Sequence, residues 1–227
     1  MRIVRGLVGL LGELLITAGA FLLLFVGWQL VWTDVVADAD ADQVVTTMER
    51  QVSQPDSSAP AWVQPKEAKL GDAYAIVRIP RFGAKFARPL YEGTTREVLM
   101  RGIGHYAGTQ QVGEVGNFAM AGHRTTYGKP FNQIATLVQG DVILIETKKT
   151  YFVYRVTGHQ IVPPTQVSVL LPVPDQPDAK ATKPTLTMTS CHPEFSAKER
   201  YVVHAVLEKT YDHDQGYPAS LLEVPGK

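Results

Sequence analysis

The sequence predicts a mainly β protein, a closed or partly closed barrel with a few short helices, carried behind one N-terminal membrane-spanning helix. Two observations lead there. From Gly71 onward the chain breaks into short alternating apolar runs cut by Gly and Pro, the pattern of half-buried strands joined by turns. Many such strands with few helices between them are best accommodated by a barrel. Before that texture begins, 19 residues from Leu14 to Trp32 contain only Thr17 and Gln29 as polar side chains. As a helix they rise about 28 Å, roughly the hydrocarbon thickness of a bilayer.

Composition narrows the class. Of 227 residues, 45% are hydrophobic and 19% charged, so the chain is neither disordered nor fibrous. Lys plus Arg and Asp plus Glu both total 22, which removes any general argument for a nucleic-acid partner. A single cysteine, Cys191, excludes an intramolecular disulfide framework and a cysteine-only metal cage.

Taken in order, residues 1–12 are expected as a short cytoplasmic tail and 13–32 as the anchor. Arg2 and Arg5 precede the apolar run and Asp34, Asp38, Asp40 and Asp42 follow it, an asymmetry that places the bulk of the chain outside the cell. A cleaved signal peptide is the rival, with Ala37 and Ala39 or Ala39 and Ala41 as the cleavage pair, but the run exceeds the usual apolar region of roughly 7 to 15 residues. Residues 33–70 hold seven acids, three bases and a cluster of Pro and Ser, and read as an extracytoplasmic linker that buries little. Within it, Asp42 to Val52 has the makings of a short helix.

Residues 71–210 form the expected catalytic domain, with 211–227 as a C-terminal tail. Strands are expected near Ala75–Ile79, Phe86–Leu90, Asn117–Ala121, Val142–Glu146, Tyr151–Val162, Thr185–Ser190 and Tyr201–Glu208. Thr94 lies three residues ahead of Glu97, a capping-box spacing, and Gly102 follows Met100 as a stop, predicting one short helix between them. Helical turns are expected near Phe131–Leu137 and Thr165–Leu170.

Three constellations carry chemistry. Cys191 follows the apolar strand Thr185 to Ser190 and precedes His192 and Pro193, where proline ends strand pairing, so it sits at a strand tip. Nine residues later Arg200 opens the next strand. A hairpin of the two would bring guanidinium and thiol to one end of the sheet, where the cation can hold a thiolate or an oxyanion. A lone cysteine is also commonly a small buried hydrophobe. In the second, the strand from Asn117 ends on Gly122 and presents His123, available for the proton transfers of thiol acyl chemistry, or as an ordinary hydrogen-bonding loop residue. The third, Gly102 to Thr109 with His105 and Tyr106, reads equally as a binding turn or a glycine-rich connection.

Together, Gly122-His123-Arg124, Thr187-Met-Thr-Ser-Cys191-His-Pro193 and Arg200 resemble the sortase family, the cysteine transpeptidases of Gram-positive cell surfaces. The resemblance covers about residues 72 to 210. Gly104-His105-Tyr106-Ala-Gly108-Thr109 and Ser190-Cys191-His192-Pro193 are most similar to class E, typical of actinobacteria. It implies an eight-stranded β-barrel with short helices and no cofactor or metal. It further implies Cys191 as the nucleophile that forms a thioacyl enzyme, His123 as acid and base, and Arg200 as stabiliser of the oxyanion. Tyr106, matching a tyrosine associated with Leu-Ala-x-Thr-Gly over Leu-Pro-x-Thr-Gly, is the substrate-binding candidate, with Ser190 and His105 beside it. For His105 a structural role is the favoured reading. Ser190 stands where the family often has threonine.

The implied partners are surface proteins bearing a C-terminal sorting signal and a lipid-linked peptidoglycan precursor that supplies the acceptor amine. No Asp-Pro-aromatic lid appears in residues 33–70 and no second apolar helix follows Leu222, which favours anchoring over pilus assembly. Rivals remain: a membrane-tethered cysteine peptidase that only hydrolyses, a metal site from His105, His123, Cys191 and His192, and a noncatalytic surface-binding domain. The papain-type cysteine context and helical zinc-ligand spacings are both missing.

Overall fold

In the computed structural model, which describes residues 2–53 and 62–223, eight strands close into a barrel. They are β1 (Ala73–Arg78), β2 (Arg88–Glu92), β3 (Ile103–His105), β4 (Gly116–Ala121), β5 (Val142–Glu146), β6 (Thr150–Val162), β7 (Pro184–His192) and β8 (Glu199–Asp212). Around the barrel the order is β1, β2, β3, β4, β7, β8, β6, β5, back to β1. The β2–β3 and β4–β7 pairs are parallel and the other six antiparallel. The β4–β7 pair brings the two motif-bearing segments of the sequence side by side.

The barrel interior is filled by fully buried Ile79, Leu90, Ile103, Phe118, Met120, Ile143, Tyr154 and Met188 among others. Each such side chain contributes about 1.5–3 kcal/mol of transfer free energy. Seven strands fall where the alternation predicts. The eighth, β3, occupies part of the glycine-rich segment that was expected as a turn or connection. A Cβ on Gly104 would stand 2.3 Å from the Gly93 carbonyl oxygen, so close backbone packing requires glycine there and erases the apolar alternation that marks a strand.

The short helix α2 (Arg96–Leu99) is capped one residue later than the spacing predicts. Thr95, not Thr94, accepts the Val98 N–H at 3.4 Å, and Val98 is buried beneath the turn. Turns of 3-10 helix at Ile134–Thr136 and Val167–Leu170 lie inside the expected helical segments.

The long helix α1 (Arg2–Ser53) corrects the expectation of a linker that buries little. The apolar half, exposed along Ile3 to Phe25, is long and apolar enough to cross a membrane. The helix then continues through residues 33–53 and lies against the barrel, where Ala37, Ala41, Val45 and Met48 are buried at steps of four, four and three residues. Val45 and Met48 pack with Trp62 and Ile76, and the Trp62 indole N–H donates to the Tyr74 carbonyl at 2.7 Å. The acids of this stretch are one binding face: Asp38 pairs with Arg88 at 2.6 Å and Glu49 with Arg78. Most of the expected Pro/Ser run lies outside the described residues. The tail after β8 also packs, with Tyr217, Leu221 and Leu222 against Val142, Leu144, Tyr151 and Val153.

Candidate active site

Period-two alternation along β7 sorts its side chains. Leu186 and Met188 point into the core, and Ser190 shares their face; Thr187, Thr189 and Cys191 occupy the other. On β8, Tyr201, Val203 and Ala205 face inward, leaving Arg200, Val202 and His204 outside. The register pairs Cys191 with Arg200, Thr189 with Val202 and Thr187 with His204. Thiol and guanidinium are therefore direct cross-strand neighbours, with Cβ atoms about 4.5–5.5 Å apart in such pairs.

The third member comes from β4. Ala121 pairs with Thr189 in the parallel ladder, and the Gly122 N–H donates to the Thr189 carbonyl at 3.3 Å. The paired ladder stops there, and His123 follows two residues beyond it, at the same end of the sheet as the Cys191–Arg200 pair. Gly122 makes that exit possible, because a Cβ there would meet the buried Phe131 ring at 2.8 Å. The loop returns at once, with the Phe131 N–H donating to the His123 carbonyl at 3.0 Å.

Electrostatics differ among the three. His123 is half-buried with its ring 5.2 Å from that of Tyr127, and burial holds its pKa below the ordinary 6.5, favouring neutral imidazole at rest. Its Nε2 is buried with no hydrogen-bond partner among the described residues. Cys191 is partly exposed. Arg200 Nη1 donates to the Ala197 carbonyl at 3.0 Å and the Glu199 carbonyl at 2.9 Å, which anchors a fork of five donors on the β7–β8 loop.

A groove of about 200 Å³ runs along the outer face, walled by Val162, Val169 and Leu170, with Tyr106, Thr189 and Arg200 also lining it. The Tyr106 hydroxyl lies 2.9 Å from the Thr189 hydroxyl. Thr189 is one side-chain repeat from Cys191 on the same face of β7. A larger cavity of about 640 Å³ lies between α1 and the barrel, remote from all three residues.

Of the three substrate-binding candidates, Ser190 and His105 do not line the groove. Ser190 is buried and its hydroxyl donates to the Gly122 carbonyl at 2.8 Å, because alternation turns it inward. His105 is 1% exposed, with Nδ1 2.7 Å from Glu92 Oε2, Nε2 3.1 Å from the Gln110 carbonyl, and its ring on Phe118. It braces β3 and lies outside the groove, which also removes it from the metal alternative. Among the described residues no three His, Cys, Asp or Glu side chains converge as a metal site.

Arg124 is a site residue that the sequence reading quotes without giving it a role. It is buried, and its Nη1 donates to the Cys191 carbonyl at 3.2 Å and to His192 Nδ1 at 2.9 Å. Its guanidinium also lies over the Tyr201 ring at 5.7 Å. The signal available was a cation next to the candidate base.

Residues 77–208 match the sortase domain family. This chain belongs to the sortase family. The curated Sortase SrtE1 of Streptomyces coelicolor is 37% identical over 220 residues, covering 93% of this chain, which spans 60% of that relative's length. The solved sortase E of Streptomyces avermitilis superposes with a TM-score of 0.61 at 40% identity, covering 67% of this chain and 99% of that one. Sortase E1 of Streptomyces coelicolor, solved with a tripeptide in its active site, gives 0.61 at 34% identity over 68% of this chain and 99% of that one. Within the family this sortase is most like class E.

Proposed function

We propose that this sortase is a membrane-anchored cysteine transpeptidase that cleaves a Leu-(Ala/Pro)-x-Thr-Gly sorting signal between Thr and Gly. The observation that carries the reading is the register that sets Cys191 opposite Arg200, with His123 two residues past the strand paired to β7 and a groove lined by Tyr106, Thr189 and Arg200 alongside. The tripeptide held in the active site of the Streptomyces coelicolor enzyme supports a peptide occupant.

The Cys191 proton passes to His123 as the sulfur attacks the Thr carbonyl, and the carbonyl electrons move onto oxygen beside Arg200. Collapse expels the Gly amine, which takes the proton from His123, and leaves a Thr thioester on Cys191. The amine of a lipid-linked peptidoglycan precursor then attacks that thioester, giving up a proton to His123. The new amide forms as the carbon–sulfur bond breaks and the thiol regains its proton. Surface protein and cell-wall precursor end covalently joined.

In this reading residues 13–32 span the membrane, N-terminus inside, and residues 71–210 work outside the cell. No nucleic acid or cofactor is needed. Intact mass spectrometry of the full chain in detergent with a Leu-Ala-x-Thr-Gly peptide tests it. The expected result is an acyl adduct on Cys191 that an amine acceptor converts to ligated peptide, absent in Cys191→Ala. Cleavage without ligation under any acceptor amine would mark a hydrolase instead.

A further inference from the structure

We propose that the extracytoplasmic half of α1 is a working part of the active site, with Asp34 as a positioning residue that clamps the loop carrying His123. This rests on the reading of His123 as the acid–base group.

The contact begins two residues after the apolar run ends at Trp32. Asp34 is buried to 8% exposure, a costly place for a carboxylate unless both oxygens are satisfied. They are: Oδ1 accepts the Gly128 backbone N–H at 3.0 Å and Oδ2 lies 2.8 Å from Lys129 Nζ. One turn on, Ala37 is buried and Asp38 reaches Arg88. Gly128 has φ +71, and a Cβ on it would stand 2.9 Å from Asp38 Oδ1 and 3.5 Å from Ala37 Cβ. A side chain there would be strained by the positive φ and would displace the Asp38 carboxylate.

From that seat the link to the chemistry is short. Tyr127, with φ 54, places its ring 5.2 Å from the His123 ring, and its other side lines a cleft with Trp28, Trp32 and Val36 of α1. The loop is pinned at its far end by the Phe131 N–H on the His123 carbonyl, and inside by the Lys129 N–H on the Thr126 carbonyl at 3.0 Å. Asp34 holds Gly128, Gly128 fixes Tyr127, and Tyr127 bounds the space His123 occupies. Withdrawing the helix would remove the Asp34 contacts to Gly128 and Lys129.

The rest of the helix face makes the seat rigid. Buried positions recur from Asp34 to Met48, and Lys129, Arg88 and Arg78 answer Asp34, Asp38 and Glu49 in turn. A swinging tether needs no such register of acids against bases.

The test uses the full chain in detergent micelles, comparing wild type with Asp34→Ala, Asp34→Asn and Gly128→Ala. Asparagine keeps the oxygen that accepts from Gly128 and gives up the pair with Lys129, whose half-exposed ammonium can turn to solvent away from the new amide N–H2. Misplacing a catalytic group by about 1 Å can cost 10²-fold, so Asp34→Ala and Gly128→Ala are expected to lower kcat by about 10-fold or more with KM within about 2-fold. Asp34→Asn is expected within about 3-fold of wild type. Hydrogen exchange of residues 123–131 should quicken in the two damaging variants while the barrel strands exchange as before. Wild-type kcat together with wild-type exchange in both Asp34→Ala and Gly128→Ala overturns the proposal. Should the wild type itself form no thioester, the transpeptidase reading fails. The exchange comparison then decides alone: faster exchange in 123–131 upholds the clamp, and unchanged exchange refutes it.

Discussion

The Ser190 hydroxyl donates to the Gly122 carbonyl at 2.8 Å, tying the strand that carries Cys191 to the residue that precedes His123. Both partners are buried, so the bond sets the spacing of the proposed nucleophile and base from inside the barrel rather than from the cleft. Ser190→Ala leaves the Gly122 carbonyl without this donor, a loss of about 1–3 kcal/mol for a buried group. We expect a lower melting temperature and a fall in kcat with little change in KM, and near-normal behaviour from Ser190→Thr. A raised KM at wild-type kcat would instead mean that Ser190 touches the peptide.

Arg200 and Arg124 make opposite predictions although both lie beside Cys191. Arg200 lines the groove and is the cross-strand partner of Cys191, whereas Arg124 is buried and binds the Cys191 carbonyl and His192. Arg200→Ala is expected to lower kcat/KM by about 10²–10³, the usual cost of losing an oxyanion donor, at unchanged thermal stability. Arg124→Ala should lower stability as well as activity, since it removes a buried guanidinium that bridges the Cys191 carbonyl and His192. Melting curves and steady-state kinetics on both variants separate the roles.

Much of the barrel was legible because seven strands are alternating or continuous apolar runs, long enough to read and bounded by turn residues. The eighth was hidden by Gly102 and Gly104, which close backbone contacts demand and which carry no alternation. The docked half of α1 was obscured for a different reason. Its stripe is built from Ala37, Ala41, Val45 and Met48, two of them small, and set among acids that resemble a solvated spacer until Arg88, Arg78 and Lys129 are seen opposite them. His123, Cys191 and Arg200 were legible as a set of strand ends, but their register was not, because nothing local specifies that β4 and β7 pair in parallel. Ser190 was misread although the parity of Leu186 and Met188 already put it on the core face. Polar residues next to a reactive one attract a functional reading that alternation contradicts.

Burial lowers the pKa of both His123 and His204 from 6.5. The unfolded chain takes up a proton near 6.5 that the folded chain still refuses, so stability is flat above that pH and falls as pH drops toward the folded values. His204 has a specific reason to resist. Gln160 donates one amide hydrogen toward Asp175 and the other toward His204 Nε2, 3.0 Å away, so a proton on that nitrogen would set two donors face to face. Melting temperature is expected to decline between pH 7 and 5, with a shallower decline in His204→Gln. A flat profile over that window would contradict the burial argument. In activity, neutral His123 should persist below pH 6.5, so the acid limb of kcat/KM falls only at lower pH.

The Tyr106 hydroxyl, 2.9 Å from Thr189, lies where the groove approaches the Cys191 end of β7. Tyr106→Phe keeps the ring and removes this bond. We expect a raised KM for the Leu-Ala-x-Thr-Gly peptide and a smaller gap between Ala and Pro at the second position, read from competition between the two peptides. An unchanged Ala-to-Pro ratio would remove Tyr106 from the specificity of the groove.

The opposite wall of the groove depends on a residue that never touches it. Asp175, in a left-handed conformation at φ 60, accepts from Ser168 Oγ at 2.6 Å and Gln166 Nε2 at 3.1 Å on one oxygen, and from Gln160 Nε2 at 2.8 Å on the other. Its own N–H donates to the Ser168 carbonyl at 2.9 Å. One carboxylate thereby staples the turn Val167–Leu170, which lines the groove, to strand β6. These donors hold its pKa below the usual 3.8, so the staple persists at any pH above about 4. Asp175→Ala should free the wall and raise KM for the peptide several-fold, while alkylation of Cys191 by iodoacetamide, which needs no groove, proceeds at the wild-type rate. Asp175→Asn keeps an acceptor oxygen and tolerates the left-handed backbone, so it should recover most of the loss. If Asp175→Ala slows alkylation as much as peptide turnover, the residue supports the whole strand end and not the groove wall alone.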